Sequence, residues 1–416
     1  MLKQFIIDNQ HADVAQLALQ RKRYPMLSDS DFRYGLQQID GRQRTQDKLP
    51  TFAQIDGWLY PPRLNLEQCS SERTARFKAS LLQSLTNIYS PTAQLTNNLL
   101  IDCTGGYGVD TFFMSEQAAE THYFEQNTEL AAIAEHNFRL AGKSIHCHAE
   151  PFTVQSLTAQ LTNSAVHQQR SSLTARCALL YIDPARRDNN GGKVFRLEDC
   201  TPNVIDIIRE IRAIRTEQKI RILLKLSPML DFHQAVAQLG GRWDIYVVSV
   251  NNEVKELLLL SEGTGQIHAV MLTDEGNHVF SFSPDEESGA EVQYVPAEML
   301  LTGMCVYEPD AALLKAGSFR LLGARYNILK ASPNTHLYFS HQPSALCGRW
   351  WQVIGVYTRV KDVQRALARA NVLTRNYVLS ADALRKQLRL KDGGDDYIIG
   401  CRIVDKPVLL HCIRVQ

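Results

Sequence analysis

Short apolar segments recur along the middle of the chain, separated by longer segments in which apolar positions follow helical spacing. An apolar run of about four to eight residues with no polar side is typical of a β-strand buried on both faces, as in a parallel sheet. The sequence predicts such strands at 99–102, 122–125, 144–150, 177–183, 220–226, 244–250 and 267–272.

Helices are predicted between these strands. One covers 129–140, begins after a capping residue, Asn127 or Thr128, and stops at Gly142; another covers 203–214. Strands that alternate with helices form a doubly wound parallel sheet with helices on both faces, and ligands bind at the carboxyl ends of its strands. We therefore expect an α/β domain with its functional site at that edge.

The two ends of the chain follow other patterns. Residues 1–90 are predicted to be mostly helical, with a helix that begins near Glu72 after Ser70 or Ser71 as its cap. Residues 281–288 are predicted to form a linker or hairpin loop, and a small α+β region follows. Its predicted helices are 310–322, 361–370 and 381–388, and its predicted strands are 350–356, 375–378, 397–404 and 408–415.

Composition fits a chain of two or three domains, since 416 residues with 44% hydrophobic side chains can bury a sizeable core. The nine cysteines include no Cys-x-x-Cys pair, which disfavours a zinc ribbon and indicates reduced thiols in the cytoplasm. His146, Cys147 and His148 alternate across a strand, so packing is favoured over metal binding and no metal site is predicted. Neither a signal peptide nor a membrane-spanning segment is predicted.

Charge is divided unevenly along the chain. Residues 301–416 hold 17 Lys and Arg against 8 Asp and Glu, whereas residues 1–300 hold 28 against 36. A basic region of this kind suits a polyanionic partner, and we expect it to bind nucleic acid. The alternative is a solvated surface whose charge is balanced by the rest of the chain.

A glycine-rich turn follows the first predicted strand. Asp102 ends the strand, Gly105, Gly106 and Gly108 form the turn, and Asp110 follows it. Glycine lets the backbone turn tightly and lets a ligand approach where a Cβ atom would clash. The pattern indicates a nucleotide-type ligand, although a plain turn from strand to helix remains the alternative.

A carboxylate stands at the end of the next predicted strand. Glu125 lies 23 residues after Asp102, close to the usual spacing of the acid that binds ribose hydroxyls. A third glycine of the dinucleotide pattern is missing, because position 111 is Thr, so a nicotinamide enzyme is disfavoured. Together these residues resemble the S-adenosylmethionine site of class I methyltransferases. The resemblance implies that Gly105, Gly106 and Gly108 pass the methionine moiety, that Glu125 binds the ribose, and that Glu150, near Phe152, flanks the adenine.

A second motif, Tyr-Ile-Asp-Pro-Ala-Arg, ends the fourth predicted strand at 181–186. It resembles the Asp-Pro-Pro-aromatic motif of methyltransferases that act on exocyclic amines of adenine or guanine. The Asp183 carboxylate and the Pro184 carbonyl would hold the amine hydrogens and aim the nitrogen lone pair at the methyl group. Arg186 replaces the aromatic residue and would contact the base or a phosphate. A strand end with a capping acid is the alternative.

A cationic helix precedes the first strand. The helix that begins near Glu72 could bring Arg76, Phe77 and Lys78 towards the cofactor pocket, where Lys78 would suit the methionine carboxylate. An ordinary amphipathic helix with a solvated cationic face is equally compatible with the pattern.

A narrower resemblance covers nearly the whole chain. Its segments are 41–50, 60–62, 66–79, 102–110, 183–187 and 225–228, and their order resembles bacterial, notably Bacteroidetes, class I methyltransferase-like proteins with a THUMP-like C-terminal domain. The resemblance implies a Rossmann-like doubly wound α/β sheet, an N-terminal helical region and a C-terminal α+β ferredoxin-like and THUMP-like part. The implied boundaries are 1–90 helical, 91–275 S-adenosylmethionine-binding, 276–330 ferredoxin-like linker and 331–416 THUMP-like.

The function that these observations favour is S-adenosylmethionine-dependent methylation of an exocyclic amine in RNA, in the cytoplasm. Two alternatives stay open: a non-catalytic RNA-binding protein that keeps the methyltransferase fold, and a methyltransferase for a small molecule or a protein. The replacement of the second proline by Ala185 and of the aromatic by Arg186 keeps the first alternative open.

Overall fold

The computed structural model describes residues 1–89, 98–166, 177–185, 197–214, 219–296, 298–404 and 406–415. Within these ranges the chain forms two compact units. The first comprises residues 1–243 and 258–262, and the second comprises residues 244–257 and 263–416. Clusters of buried apolar side chains lie within each unit.

The first nine described strands form one sheet. They are β1 (Leu99–Asp102), β2 (Glu120–Phe124), β3 (His146–His148), β4 (Cys177–Ile182), β5 (Lys219–Leu226), β6 (Trp243–Val250), β7 (Glu253–Ser261), β8 (Ile267–Thr273) and β9 (Gly276–Phe282). Their order is β3-β2-β1-β4-β5-β7-β6-β8-β9. The pairs β1–β2, β2–β3, β1–β4, β4–β5 and β6–β8 are parallel, and β8–β9 is antiparallel.

The strand order reverses at β1, which lies between β2 and β4. Asp102 at the end of β1 is in register with Tyr123 of β2 and with Tyr181 of β4. The carboxyl ends of these three strands therefore meet at the point where doubly wound folds bind their ligands. All four residues of β1 are buried, as expected for a central parallel strand.

The first unit also contains α-helices. They are α1 (Leu2–Asp8), α2 (Val14–Ala18), α3 (Asp29–Lys48), α4 (Pro50–Ala53), α5 (Arg63–Gln68), α6 (Glu72–Tyr89), α7 (Val109–Met114), α8 (Thr128–Leu140), α9 (Val154–Val166), α10 (Val204–Ala213) and α11 (Phe232–Leu239). The expected helical character of the N-terminal region is confirmed for residues 1–89. No helix in the described ranges is both long and apolar enough to cross a bilayer.

An aromatic cluster joins the N-terminal helices to the glycine turn. Phe52 stacks on Trp58 at 4.2 Å between ring centroids and meets Phe112 of α7 edge-on at 4.9 Å. The indole Nε1 of Trp58 donates to the hydroxyl of Tyr107, within the turn, at 2.7 Å. Each of these buried rings contributes about 1.5–3 kcal/mol by leaving water. The N-terminal region is thus part of the packing that shapes the turn.

A seven-stranded sheet lies in the second unit. Its strands are β10 (Cys305–Pro309), β11 (Leu329–Ser332), β12 (Thr335–Ser340), β13 (Gly348–Tyr357), β14 (Asn371–Arg375), β15 (Asp396–Ile403) and β16 (Lys406–Arg414), in the order β11-β12-β10-β13-β16-β15-β14. The helices of this unit are α12 (Pro284–Gly289), α13 (Ala311–Ala316), α14 (Phe319–Tyr326), α15 (Val360–Ala366) and α16 (Ala381–Leu388). From β13 onwards the element order is β-α-β-α-β-β.

Most predicted elements are confirmed within a few residues. Asn127 caps α8 by accepting hydrogen bonds from the backbone of Glu129 and Leu130. Ser71 accepts from Thr74 at the start of α6, which decides between the two proposed caps. The third strand is shorter than predicted, because β3 is an edge strand and pairs with only three residues of β2.

Some predictions for the second unit are wrong. The segment expected to be a linker ends β9 and then forms α12, because Ser283 and Glu286 form a capping box and Pro284 occupies the first turn. The helix predicted over 310–322 is two helices, since Gly317 adopts φ +84° and ends α13. The strand predicted at 375–378 lies earlier, at Asn371–Arg375. Strands β7 and β9–β12 were not predicted. The four-domain division stays a prediction.

Candidate functional site

The site is built where β1 and β4 end side by side. The backbone N–H of Cys103 donates to the carbonyl of Tyr181 at 2.9 Å, continuing the pairing one step beyond β1. The N–H of Asp183 then donates to Oγ1 of Thr104 at 2.7 Å. The Asp-Pro motif after β4 is therefore hydrogen-bonded directly to the glycine turn after β1.

Asp102 faces inward and closes the glycine turn. One carboxylate oxygen accepts from the N–H of Thr104 at 3.0 Å, and the other accepts from the hydroxyl of Thr111 in α7. Burial raises the pKa of Asp102 to about 7, although both hydrogen bonds oppose the shift. Asp102 is only 1% exposed. Its hydrogen bonds to Thr104 and Thr111 therefore hold the turn from the buried side.

Glycine is needed at the three positions of the turn for different physical reasons. Gly106 adopts φ +57°, which L-residues rarely tolerate, and a Cβ atom there would meet nothing closer than the Thr104 carbonyl at 3.8 Å. A Cβ at Gly105 would lie 2.1 Å from the Tyr123 ring, and one at Gly108 would lie 2.5 Å from Phe138. Packing therefore requires Gly105 and Gly108, whereas Gly106 turns the chain beneath an open, partly exposed space.

Glu125 lies beside this turn, immediately after β2. Its carboxylate accepts from the N–H of Gly106 at 2.8 Å and from the N–H of Asn127 at 2.7 Å. These two bonds fix the carboxylate between the glycine turn and the start of α8. A carboxylate has about four lone-pair sites, so acceptor capacity remains on each oxygen.

Asp110 lies in the first turn of α7 and has a buried cation as its partner. Its Oδ1 lies 3.1 Å from Nζ of Lys78, while Oδ2 accepts from Ser70 at 2.7 Å and from Tyr181 at 2.6 Å. Burial by itself would raise the pKa of Asp110, but the ammonium groups of Lys78 and Lys225 lower it below its usual value. Lys78 is fully buried, so α6 brings its charge inside rather than to a solvated face.

Lys225 of β5 completes a line of alternating charges. Its Nζ lies 2.6 Å from Oδ2 of Asp183, 3.2 Å from Oγ of Ser70 and 4.0 Å from Oδ2 of Asp110. The parallel register of β4 and β5 explains the ion pair, because Ile182 lies opposite Leu224 and the next residues are Asp183 and Lys225. The charged side chains therefore alternate in sign along the line Lys78, Asp110, Lys225 and Asp183.

The sequence analysis had proposed Ser70 as a candidate helix cap, Tyr181 as the start of the Asp-Pro motif and Lys225 as part of the family resemblance, but it had assigned none of them a role in the site. The available signal was a lysine next to the last residue of β5, directly after the apolar run at 222–224. A lysine at such a position is rarely buried unless it is paired with an acid. Its acidic partner became identifiable only from the adjacency of β4 and β5.

Pro184, Ala185 and Glu150 are among the remaining residues of the predicted motifs that the structure describes. Pro184 is buried, and exposed Ala185 forms a two-way backbone bridge with Thr201 at 2.8 and 3.1 Å. Arg186 lies outside the described residues, as does Phe195. Glu150 is exposed and follows β3, and its described contacts do not join it to the glycine turn.

Phe152 and Arg76 have partners of their own. Phe152 packs edge-on against Phe124 of β2, with ring centroids 5.6 Å apart. Arg76 pairs with Glu72 at 2.8 Å and lies over the ring of Phe113 at 4.5 Å. Arg76, expected near the pocket, therefore contributes to the packing between α6 and α7.

Comparison with known proteins gives two matches in the second unit. Residues 348–414 match the THUMP domain-like family, and residues 306–345 match a ferredoxin-like domain. The expected ferredoxin-like and THUMP-like character of the C-terminal α+β region is therefore confirmed.

Longer matches cover most of the chain. A crystal structure described as that of a candidate methyltransferase from Porphyromonas gingivalis W83 has a TM-score of 0.80 and 27% identity, covering 100% of this chain and 98% of that chain. Uncharacterized S-adenosylmethionine-dependent methyltransferases from two strains of Mycobacterium tuberculosis, CDC 1551 / Oshkosh and H37Rv, are 30% identical over 347 residues, which is 81% of this chain and 82% of each relative. The chain belongs to this family of S-adenosylmethionine-dependent methyltransferases.

Proposed function

We propose that the protein transfers the methyl group of S-adenosylmethionine to an exocyclic amine of a base in RNA. The observation that carries the proposal is the hydrogen bond from the N–H of Asp183 to Thr104, which holds the Asp-Pro motif against the glycine turn. An acceptor group held there would lie beside a cofactor bound over the turn.

The residues at the turn fit the cofactor on two observations. The space above Gly106 is open, so a ligand can approach the backbone where a side chain would block it. The Glu125 carboxylate is fixed beside that space by two backbone N–H groups and keeps acceptor capacity for the two hydroxyls of a ribose. We assign the ribose to Glu125, the methionine moiety to the turn formed by Gly105, Gly106 and Gly108, and the adenine to Glu150.

Asp102, Asp110 and Lys78 support the cofactor site from below. Asp102 holds the turn through Thr104 and Thr111, and Lys78 acts through Asp110, because its ammonium group is fully buried. A balanced ion pair at this position keeps the floor of the pocket from repelling either end of the zwitterionic methionine moiety.

Asp183 would act as a hydrogen-bond acceptor for the substrate amine. The ammonium group of Lys225 pairs with Oδ2 of Asp183 at 2.6 Å, and Asp183 would orient the amine through its carboxylate oxygens rather than remove a proton before transfer. The Pro184 carbonyl offers a second acceptor, and Arg186 would contact the base or a phosphate. When bound, S-adenosylmethionine supplies a methyl group on a positively charged sulfur. The amine nitrogen would form the new N–C bond with its lone pair while the S–C bond to the methyl group breaks. The electron pair of that bond would stay on the sulfur of S-adenosylhomocysteine, which leaves, and the methylated amine would then lose its surplus proton to solvent.

RNA would bind to the basic C-terminal part of the chain, residues 301–416, which holds 17 Lys and Arg against 8 Asp and Glu. Its exposed cations on and directly after α15 and α16 include Lys361, Arg365, Arg369, Lys386, Arg389 and Lys391. Backbone bonds between 368–370 and Lys391 place the chains of Arg369 and Lys391 side by side. Phosphates attract clustered cations of this kind, and RNA supplies a phosphate at every nucleotide. The proposal includes a cytoplasmic location, since the eight cysteines with described side chains are free thiols.

The test is a transfer assay with cofactor labelled at the methyl group and total bacterial RNA as acceptor. We expect label in RNA, and we expect Asp183→Ala to lower the rate about 100-fold by misplacing the amine. Asp206→Ala is the matched control, because Asp206 is an exposed carboxylate on α10 that pairs with Arg209.

Three outcomes would contradict the proposal. Label in protein or small molecules, with none in RNA, would indicate a methyltransferase for a protein or a small molecule. Cofactor and RNA binding without transfer would indicate the non-catalytic RNA-binding protein. Equal rates for Asp183→Ala and the unaltered protein would remove Asp183 from the reaction.

A further inference from the structure

Three donor side chains lie together on β2 and β3, away from the residues assigned to methyl transfer. They are Glu120 and His122 of β2 and His146 of β3, and we call them the edge cluster. One ligand atom from each, a carboxylate oxygen and two imidazole nitrogens, lies within 4.8 Å of the others. His122 is buried, Glu120 is partly buried and His146 is exposed, so the cluster is reachable from solvent on one side.

Strand geometry explains why these residues converge. Glu120 and His122 are two positions apart and therefore face the same side of the sheet. His122 is in register with His146, and the same face of β3 carries His148 two positions further on. The rings of His122 and His146 stack with centroids 4.8 Å apart. Alternation within β3 places Cys147 on the opposite face, as the sequence predicted.

The contacts of His122 distinguish its two nitrogens. Its Nε2 lies 3.0 Å from Oε1 of Glu120, and its Nδ1 lies 2.9 Å from Nε2 of His148. An imidazole that binds a metal through one nitrogen commonly donates the N–H of the other to a neighbouring acceptor, which fixes the ring. His148 is placed to be that acceptor when Nε2 of His122 faces the ion.

We propose that Glu120, His122 and His146 bind a divalent transition-metal ion of the Zn²⁺ class, with His148 orienting His122. Two imidazoles and a carboxylate are ordinary Zn²⁺ ligands, and they form bonds of about 2.0–2.2 Å. Water completes the coordination on the exposed side. The ion displaces the hydrogen bond between Glu120 and His122, and both groups then share the cation.

The proposed role is structural. Glu120 begins β2, whereas Glu125 and the glycine turn lie beyond the other end of that strand. Strand β3 is an edge strand of three residues, and its pairing with β2 spans three residue pairs. An ion bound by both strands would join this short edge to the sheet and stabilise the folded state by mass action.

The test uses the untagged full chain, freed of metal with a chelator and titrated calorimetrically with ZnCl₂. We expect saturable binding of one equivalent, a higher unfolding temperature with Zn²⁺, and visible absorption of bound Co²⁺ typical of four-coordination. His146→Ala and Glu120→Gln should each weaken binding at least tenfold, and His148→Ala about 10–100-fold. His136→Ala, an exposed histidine on α8, should bind as the unaltered protein does.

Circular dichroism of each metal-free variant checks that folding is intact, and exposed His146 is the variant least able to disturb it. The absence of saturable binding below about 100 μM would overturn the proposal. So would unchanged affinity in His146→Ala, or equal losses in His146→Ala and His136→Ala, because binding would then lie elsewhere.

Discussion

Asp110 and Asp183 show how a partner decides what a carboxylate can do. Lys78 lies 3.1 Å from the buried Asp110, and Lys225 lies 2.6 Å from the partly exposed Asp183, so each acid has an ammonium group as its counterion. Removing one member of a buried pair such as Lys78 and Asp110 typically costs about 3–5 kcal/mol, because the other charge stays buried without a counterion. Asp102 differs from both acids, because its described partners are the N–H of Thr104 and the hydroxyl of Thr111 rather than a cation.

Glu125→Ala should weaken S-adenosylmethionine binding about 10–100-fold, because hydrogen bonds to a charged acceptor contribute about 1.5–3 kcal/mol. Calorimetric titration measures the loss. Glu129→Ala, which removes an exposed carboxylate from the first turn of α8, is the matched control. Equal affinity in Glu125→Ala and the unaltered protein would contradict the ribose assignment.

Asp102→Asn should change how stability depends on pH. Folding raises the pKa of Asp102 from 3.8 to about 7. Between these values the folded protein holds a proton that the unfolded chain has released, so the free energy of unfolding falls as pH rises. Asparagine cannot titrate, and the fall between pH 5 and pH 8 should become smaller. Thermal unfolding across that range, with exposed Asp206→Asn as the control, measures the difference; parallel curves would refute it.

At the level of elements, the site depends on the ends of short parallel strands. Register aligns Asp102 with Tyr181, and the next residues then exchange hydrogen bonds between the two strand ends. The turn fits only with glycine at positions 105 and 108, because the rings of Tyr123 and Phe138 occupy the volumes that a Cβ atom there would need. The turn and its neighbouring elements are therefore one packed unit, and a single methyl group can disturb it.

Gly105→Ala should destabilise the fold by about 1–3 kcal/mol, since its Cβ would lie 2.1 Å from the Tyr123 ring. It should also weaken cofactor binding by shifting the turn. Gly289→Ala is the control, because a Cβ there has nothing within 4 Å. Denaturant unfolding and calorimetry measure the two effects, and equal behaviour of the two variants would show that the turn tolerates the added volume.

At the scale of the whole molecule, the sequence carries its positive charge in the part that folds around the second sheet. Residues 301–416 hold 17 Lys and Arg against 8 Asp and Glu. Several of these cations form ion pairs, such as Arg359 with Asp362 and Arg385 with Asp382 and Asp392. The exposed lysines on α15, on α16 and after α16 are the better candidates for phosphate contacts.

Replacing Lys361, Lys386 and Lys391 together with Ala should weaken RNA binding and make it less sensitive to salt. Each lost phosphate contact reduces the slope of log affinity against log salt by about 0.7 for single strands, so the three replacements should lower it by about 2. Fluorescence anisotropy at several salt concentrations measures the slope. Lys22→Ala with Arg33→Ala, exposed positions of the first unit, should leave it unchanged. An unchanged slope in the triple variant would place RNA elsewhere.

Local patterns sufficed for much of the fold. The apolar strands, the cap at Asn127, which was one of two candidates, and the order β-α-β-α-β-β were predictable, because each depends on residues close together in the chain. The break at Gly317 and the helix capped by Ser283 were missed, although both signals were present. Strands β10–β12 were also missed. Strand β10 pairs with β12 and β13, which lie about 30–50 residues further along the chain, and β11 and β12 are short strands of one hairpin.

The sequence by itself determined which side chains stand at the strand ends: Asp102, Glu125, Asp183 and the glycines between them. Chain order and apolar spacing are sufficient for that, because a buried strand ends where the apolar run ends. Only the tertiary structure decided their partners. The pairing of β4 with β5 joins Lys225 to Asp183, the packing of α6 brings Lys78 to Asp110, and the register of β2 and β3 gathers the edge cluster. Such contacts depend on which strands and helices become neighbours when the chain folds, and the residues near each position in the sequence do not determine those neighbours.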